Sequence, residues 1–157
     1  MTTTADPQRE VLSLLEEVID FEYDTLEAYK LAVNHLADEA LRWRVESFFD
    51  DHVRHVESLT HEIITLGGAA PEGPDAKFLI TAGKVFLGLL LGDRAILGAL
   101  RANENDTNNL YERAASQLEV PSHLRRIFLQ HLADERRHRD WFEGRIAQSS
   151  REIAQAG

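Results

Sequence analysis

Seven side chains of metal-ligating type recur on helical spacing: Glu22, His52, His55, Glu104, His131, Glu135 and His138. Glu135 and His138 stand three residues apart, so on a helix both leave the same side about one turn apart and can grip one cation together. His52 and His55 repeat that spacing. The chain has no cysteine, which excludes thiolate zinc sites, iron–sulfur clusters, disulfides and cysteine nucleophiles. Any metal must therefore sit on imidazole and carboxylate, and mixed N/O sets of that kind suit iron, manganese or zinc.

Four helices are needed to carry these residues. Apolar residues recur at helical spacing almost throughout, and no alternating strand pattern competes. The first inward stripe reads Val11, Leu15, Val18, Glu22, Leu26 or Thr25, Tyr29, Val33, Leu36, behind Asp6 as N-cap and Pro7 at the first helical position. The second reads Leu41, Val45, Phe48, His52, His55, Leu59, Ile63, Leu66, closed by Gly67. The third reads Ile96 or Leu97, Leu100, Glu104, Thr107, Tyr111, Ala114, Leu118, and the fourth Leu124, Phe128, His131, Glu135, His138, Phe142, Ile146. These stripes predict an all-α single domain over 1–157 with helices at about 7–36, 39–66, 92–118 and 121–147 and a tail frayed from about Gln148. Short loops make each hairpin antiparallel, and the long crossover over 67–91, containing a short apolar helix, joins the hairpins into a four-helix bundle.

Every stripe is apolar at its ends and polar in its middle. Burying three unpaired carboxylates costs several kcal/mol apiece, on the order given by transfer energies, so they need protons, partners or metal. His35, His61 and His123 lie off the stripes or at a helix start and read as surface residues. The halves of the chain also repeat. Glu22, Thr25, Tyr29 and Ala32 match Glu104, Thr107, Tyr111 and Ala114; Leu41-Arg42 matches Leu124-Arg125; and Asp51-His52-Val53-Arg54-His55 matches Asp134-Glu135-Arg136-Arg137-His138. A duplicated helical hairpin accounts for this and sets the polar residues around a pseudo-twofold axis.

With these residues in view, the chain resembles the ferritin-like di-iron carboxylate superfamily over roughly residues 10–145, as a small rubrerythrin-related bacterial protein. Asp134-Glu135-Arg136-Arg137-His138 is the D-E-x-R-H form of that family's E-x-x-H motif, and Glu22 and Glu104, each seven residues before a tyrosine, resemble its helix glutamates. The resemblance implies a ferritin-like bundle with metal ligands Glu22, His52, His55, Glu104, Glu135 and His138. His131 is a further ligand or an interior hydrogen-bonder. Asp51 and Asp134 would orient imidazole N–H groups, Arg54 and Arg137 would balance those aspartates, and Tyr29 and Tyr111 would shield the site.

One departure stands out: His52 takes the place of the first E-x-x-H glutamate. A carboxylate bridges two metals and a neutral imidazole does not. Three carboxylates against two divalent cations leave a sum of +1, so the half-site containing Glu135 and His138 is expected to bind metal more tightly. Without rubredoxin-type cysteines, a peroxide-reducing cycle would need an outside electron donor.

The implied function is a di-iron centre, with Mn or Zn as alternatives, that oxidises Fe(II) or reduces peroxide in oxidative-stress defence, with dioxygen or peroxide as partner. Two competing readings are a non-catalytic metal-binding module and a metal-free helical interaction protein. Nothing in the sequence identifies shell-forming surfaces for mineral storage.

The formal charge is −10, from 17 basic and 27 acidic residues, which disfavours nucleic acid and anionic membrane as partners. The N-terminus, Met-Thr-Thr-Thr-Ala-Asp-Pro, has neither a basic start nor an apolar core, so a cytoplasmic location is expected. The apolar run Phe78–Leu91 carries Lys84 as its one charge, and a homodimer formed through it is expected.

Overall fold

A computed structural model describes residues 6–74, 88–89 and 91–156. Its helices are α1 (Pro7–His35), α2 (Glu39–Thr65), α3 (Asp93–Ser116) and α4 (Ser122–Ala156). α1 and α2 pack as one hairpin and α3 and α4 as another; α1 also meets α3, and α2 meets α4. The bundle diagonals are therefore α1/α4 and α2/α3, and the Glu22 and Glu104 helices are neighbours.

Local chemistry fixes the helix ends. Asp6 accepts from the Gln8 amide at 3.1 Å, with Pro7 in the first turn, and Asp38 accepts from the Leu41 amide at 3.0 Å. Gly67 takes φ 80° after α2, where its amide reaches the Ile64 carbonyl and that of Gly68 reaches Ile63, both at 2.9 Å. Asp93 accepts from the Ala37 and Asp38 amides at 2.9 and 2.8 Å, tying the start of α3 to the first hairpin turn. The start of α3 thus lies at the end of the bundle opposite Gly67. The repeat-related arginines hold equivalent turns: Arg42 donates to the Leu36 carbonyl, and Arg125 to those of Ala115, Gln117 and Val120.

Two apolar clusters fill the bundle, one around Leu15, Ile19, Leu59, Leu124 and Phe128 and the other around Val45, Phe48, Ile96, Leu100 and Phe142. Between them lies a buried polar layer containing Glu22, His52, His55, Glu104, Glu135 and His138. The apolar-polar-apolar order of each stripe thus becomes two greasy plugs around a polar centre.

The alternatives left open on two stripes resolve: Thr25 is buried with Leu26 partly buried against the core, and both Ile96 and Leu97 are buried. Two expectations are corrected. Leu118 is 89% exposed, because α3 stops at Ser116 and leaves it in the turn. The tail is helical to Ala156 rather than frayed from Gln148; the Gln148 amide donates to Glu152 at 2.9 Å and Arg94 reaches Ser150 at 2.7 Å.

In the crossover, the expected short helix and association surface at Phe78–Leu91 lie outside the described residues, except Gly88, Leu89 and Leu91. A Cβ on Gly88 would come within 3.1 Å of the Ala95 carbonyl oxygen, so glycine permits that close approach to α3. Among the described residues, no helix is long and apolar enough to cross a membrane.

Candidate metal centre

Each helix contributes to the centre at mid-length: Glu22 from α1, His52 and His55 from α2, Glu104 from α3, Glu135 and His138 from α4. All six are at most 2% exposed. They form two overlapping groups, Glu22/His52/His55/Glu135 and His52/Glu104/Glu135/His138, each offering four ligand atoms within 4.8 Å of one another. His52 and Glu135, the repeat-equivalent pair, belong to both.

The surrounding contacts cross from one hairpin to the other. Tyr29 donates its hydroxyl to Glu104 and Tyr111 donates to Glu22. His55 Nε2 meets Asp134 Oδ2 at 3.3 Å, and His138 Nε2 meets Asp51 Oδ2 at 2.8 Å. Arg54 pairs with Asp51, while Arg137 reaches both Asp51 and Asp134 at 2.8 Å. The pseudo-twofold read from the sequence is thus realised as reciprocal pairing.

The symmetry breaks at two positions. His52 replaces a second central carboxylate; its Nδ1 lies 2.8 Å from Glu22 Oε2 and its Nε2 lies 3.5 Å from Glu104 Oε1. His131 stands where the first half has Phe48. It stacks on His55 at 4.0 Å as Phe48 stacks on His138 at 4.2 Å. His131 Nδ1 lies 3.0 Å from the Tyr111 hydroxyl, and it belongs to neither four-residue group.

Charges in the layer are strongly coupled. Burial opposes charge on Glu22, but His52 and His55 outweigh it and hold the carboxyl well below its usual range. Glu104 is held down similarly, against burial, by His138 and His52. Burial pushes Glu135 up to about 8; the charge on Glu104 and Glu22 adds to this, and His52 and His55 offset it only in part. His55 rises to about 10 despite burial, because Glu22, Asp134 and Glu135 surround it. His131 falls to about 3 through burial and the neighbouring charge of His55. The tyrosines are driven well above their usual range, first by burial, and remain donors.

The centre also concentrates unsatisfied atoms. His52 Nε2, Glu104 Oε2, both Glu135 carboxylate oxygens and His138 Nδ1 are buried without a hydrogen-bond partner. Native interiors leave few such atoms. Their convergence among three carboxylates and three imidazoles fits a bound cation, which would satisfy donors that the protein leaves unmet.

Sequence reasoning did not anticipate the ring contact of Phe48 or the roles of Asn103 and Asn108. Asn103 donates to Thr25 at 3.0 Å and Asn108 to the Glu104 carbonyl at 2.7 Å. The repeat carried a signal for Phe48, through its equivalence to His131; the asparagines had none, since polar residues beside a stripe read as solvated.

No protein-family model matches the chain, and no curated protein does. Among solved structures, it is similar to a ferritin-like, diiron-carboxylate protein from Bacillus anthracis str. Ames. The TM-score is 0.69 over 91% of this chain and 99% of that one, at 19% sequence identity. That likeness identifies the fold as ferritin-like.

Proposed function

From a ferritin-like fold carrying a buried Glu/His centre, we propose that this protein binds transition-metal ions, iron foremost, on Glu22, His52, His55, Glu104, Glu135 and His138. The proposal extends to oxidation of Fe(II) or reduction of peroxide in oxidative-stress defence. The observation that carries it is the convergence of unpartnered ligand atoms in a sealed polar layer.

Bound iron would supply the reversible electron source and sink that such chemistry requires. The chain's own residues hold and orient. Tyr29 and Tyr111 fix the carboxylates of Glu104 and Glu22, Asp51 and Asp134 orient His138 and His55, and the apolar plugs keep bulk water from the layer.

His52 favours a second reading, a non-catalytic site holding one Zn, Mn or Fe ion, because an imidazole replaces a bridging carboxylate. Metal analysis of anaerobically purified protein, followed by Fe(II) and then peroxide or dioxygen, separates the two. About two irons per chain at saturation with rapid peroxide loss or Fe(II) oxidation supports the redox reading, as in di-iron bundles. One retained ion without turnover supports the second. Failure to hold any divalent metal at micromolar concentration would leave a metal-free interaction protein.

Self-association through the apolar run 78–91 is also proposed, on composition. Sedimentation of the unmodified chain against a Phe86→Glu, Leu90→Glu variant tests it.

A further inference from the structure

The two four-residue groups differ in what their ligand atoms are already doing. In the Glu22 group every ligand atom outside Glu135, which the two groups share, is spent. Glu22 Oε1 accepts from Tyr111 and lies 3.1 Å from His55 Nδ1, while Oε2 lies 2.8 Å from His52 Nδ1. The other nitrogen of His55 faces Asp134 at 3.3 Å. A cation entering here must pull His55 away from Glu22.

The Glu104 group is open. Without a hydrogen-bond partner here are His52 Nε2, Glu104 Oε2, both oxygens of Glu135, and His138 Nδ1, although Glu135 Oε1 also lies 3.1 Å from His55 Nδ1 and Glu104 Oε2 3.6 Å from His138 Nδ1. Each imidazole is held from behind: His52 Nδ1–H donates to Glu22 and His138 Nε2–H to Asp51, both at 2.8 Å. In the neutral rings those bonds fix the tautomers, so that a cation displacing the other ring proton meets the lone pairs of His52 Nε2 and His138 Nδ1. Two imidazoles and two carboxylates then form an N2O2 set whose formal charge matches one divalent ion.

Building on the metal-binding reading, we infer that the two groups are unequal ion sites, in which His52, Glu104, Glu135 and His138 take the first divalent cation while the Glu22–His55 group stays closed on its own hydrogen bonds. The cause is the break in the internal repeat at His52. A carboxylate at position 52 would offer an oxygen to either side, whereas an imidazole that keeps its Nδ1 proton has one lone pair, and here it is directed to the Glu104 side. A second ion must share Glu135 and displace the ring contacts of Glu22.

The test is a titration of the full chain with Zn(II) alone, by calorimetry and by 15N NMR of the histidine rings. The expected result is one tight ion per chain and a second bound at least about tenfold more weakly, the scale of losing one well-placed partner at a metal. At one equivalent, His52 Nε2 and His138 Nδ1 take metal-bound shifts while His55 retains its metal-free signals. Glu104→Gln abolishes the tight step. The NMR measurement needs no substitution, so it decides the matter even where a variant fails to fold. Two ions of equal affinity, or a His55 shift at one equivalent, would overturn the inference while leaving the metal-binding reading in place. No Zn(II) binding by the unmodified chain would overturn both.

Discussion

His138 Nε2 donates to Asp51 Oδ2 at 2.8 Å, from the second helical hairpin to the first. Asp51 is 6% exposed and also accepts from Arg54 and Arg137. A ligand-bearing ring on α4 is thus aimed by a carboxylate on α2, and that carboxylate is held by arginines from both hairpins. The orientation of the metal centre is therefore coupled to the docking of the two halves rather than to either helix alone.

Removing the charge of Asp51 should weaken the aim of His138. Asp51→Asn keeps an acceptor of the same size but loses the charge-assisted bond, so Zn(II) affinity should fall roughly 10-fold, at the low end of second-layer effects. Asp134 has a side chain 38% exposed and stands 3.3 Å from its histidine, so Asp134→Asn should cost less. A competition titration against a chromophoric chelator compares them. An equal loss in both variants would mean that the crossed aspartates do not differ in aiming the site.

His52→Glu should bring the two half-sites to parity. It gives both hairpins the E-x-x-H pattern and raises the carboxylate count at the centre from three to four, matching two divalent ions in charge. Metal content at saturation should reach about two ions per chain with similar affinities, as in carboxylate-bridged bundles. The metal-free variant should melt lower than the parent, because a fourth buried carboxylate replaces the imidazole that Glu22, Glu104 and Glu135 share. Unchanged stoichiometry, with two ions already held by the parent, would show that imidazole serves as well as carboxylate there.

The helical stripes, the polar layer and the pseudo-twofold were legible because burial imposes a period on the sequence and duplication preserves it. Glu22, His52, His55, Glu104, Glu135 and His138 could be placed at one depth on that basis. Which aspartate serves which histidine could not, since the pairing depends on how the hairpins rotate about their common axis. The period also could not separate Thr25 from Leu26, adjacent positions 100° apart on the edge of one stripe. The tail beyond Gln148 looked frayed because its apolar period fades, yet Gln148–Glu152 and Arg94–Ser150 contacts accompany its continuation.

The two buried tyrosines should differ in what they contribute. Tyr29 is the hydrogen-bond donor to Glu104, whose other oxygen has none, while Glu22 keeps His52 and His55 when Tyr111 is lost. Tyr29→Phe should therefore cost about 2–3 kcal/mol in the metal-free chain, the range for bonds to charged groups, and Tyr111→Phe about 1–2 kcal/mol, mostly from the His131 nitrogen it strands. Urea unfolding measures both. Saturating Zn(II) should narrow the gap by satisfying Glu104. A gap that persists with metal bound would argue against Glu104 as a ligand.

Alkaline pH should destabilise the metal-free chain and leave the metal-loaded chain much less affected. His55 titrates at about 10 in the folded protein against an ordinary 6.5, and Glu135 at about 8 against 4.5. Both are raised, so the folded state holds more protons than the unfolded one, and stability falls as pH rises through those windows. The two effects overlap between 6.5 and 8; above that His55 carries the decline on to 10, joined by His52, whose imidazole Glu135 and Glu22 hold well above its usual range despite burial. On the acid side the signs reverse. Glu22 and Glu104 are depressed, and the stability they contribute is present above about 4.5 and lost as pH falls through their folded values. His131, held at about 3, likewise makes stability rise between 3 and 6.5. Melting temperature of the metal-free chain should therefore peak near pH 6 and decline steadily to pH 10. A divalent ion binds the deprotonated ligands and releases their protons, so its affinity grows over the same range and opposes the decline. Scanning calorimetry at half-unit steps, with and without saturating Zn(II), reads both curves. A metal-free melting temperature that holds level or rises from pH 7 to 9.5 would mean that the buried layer does not carry these protons.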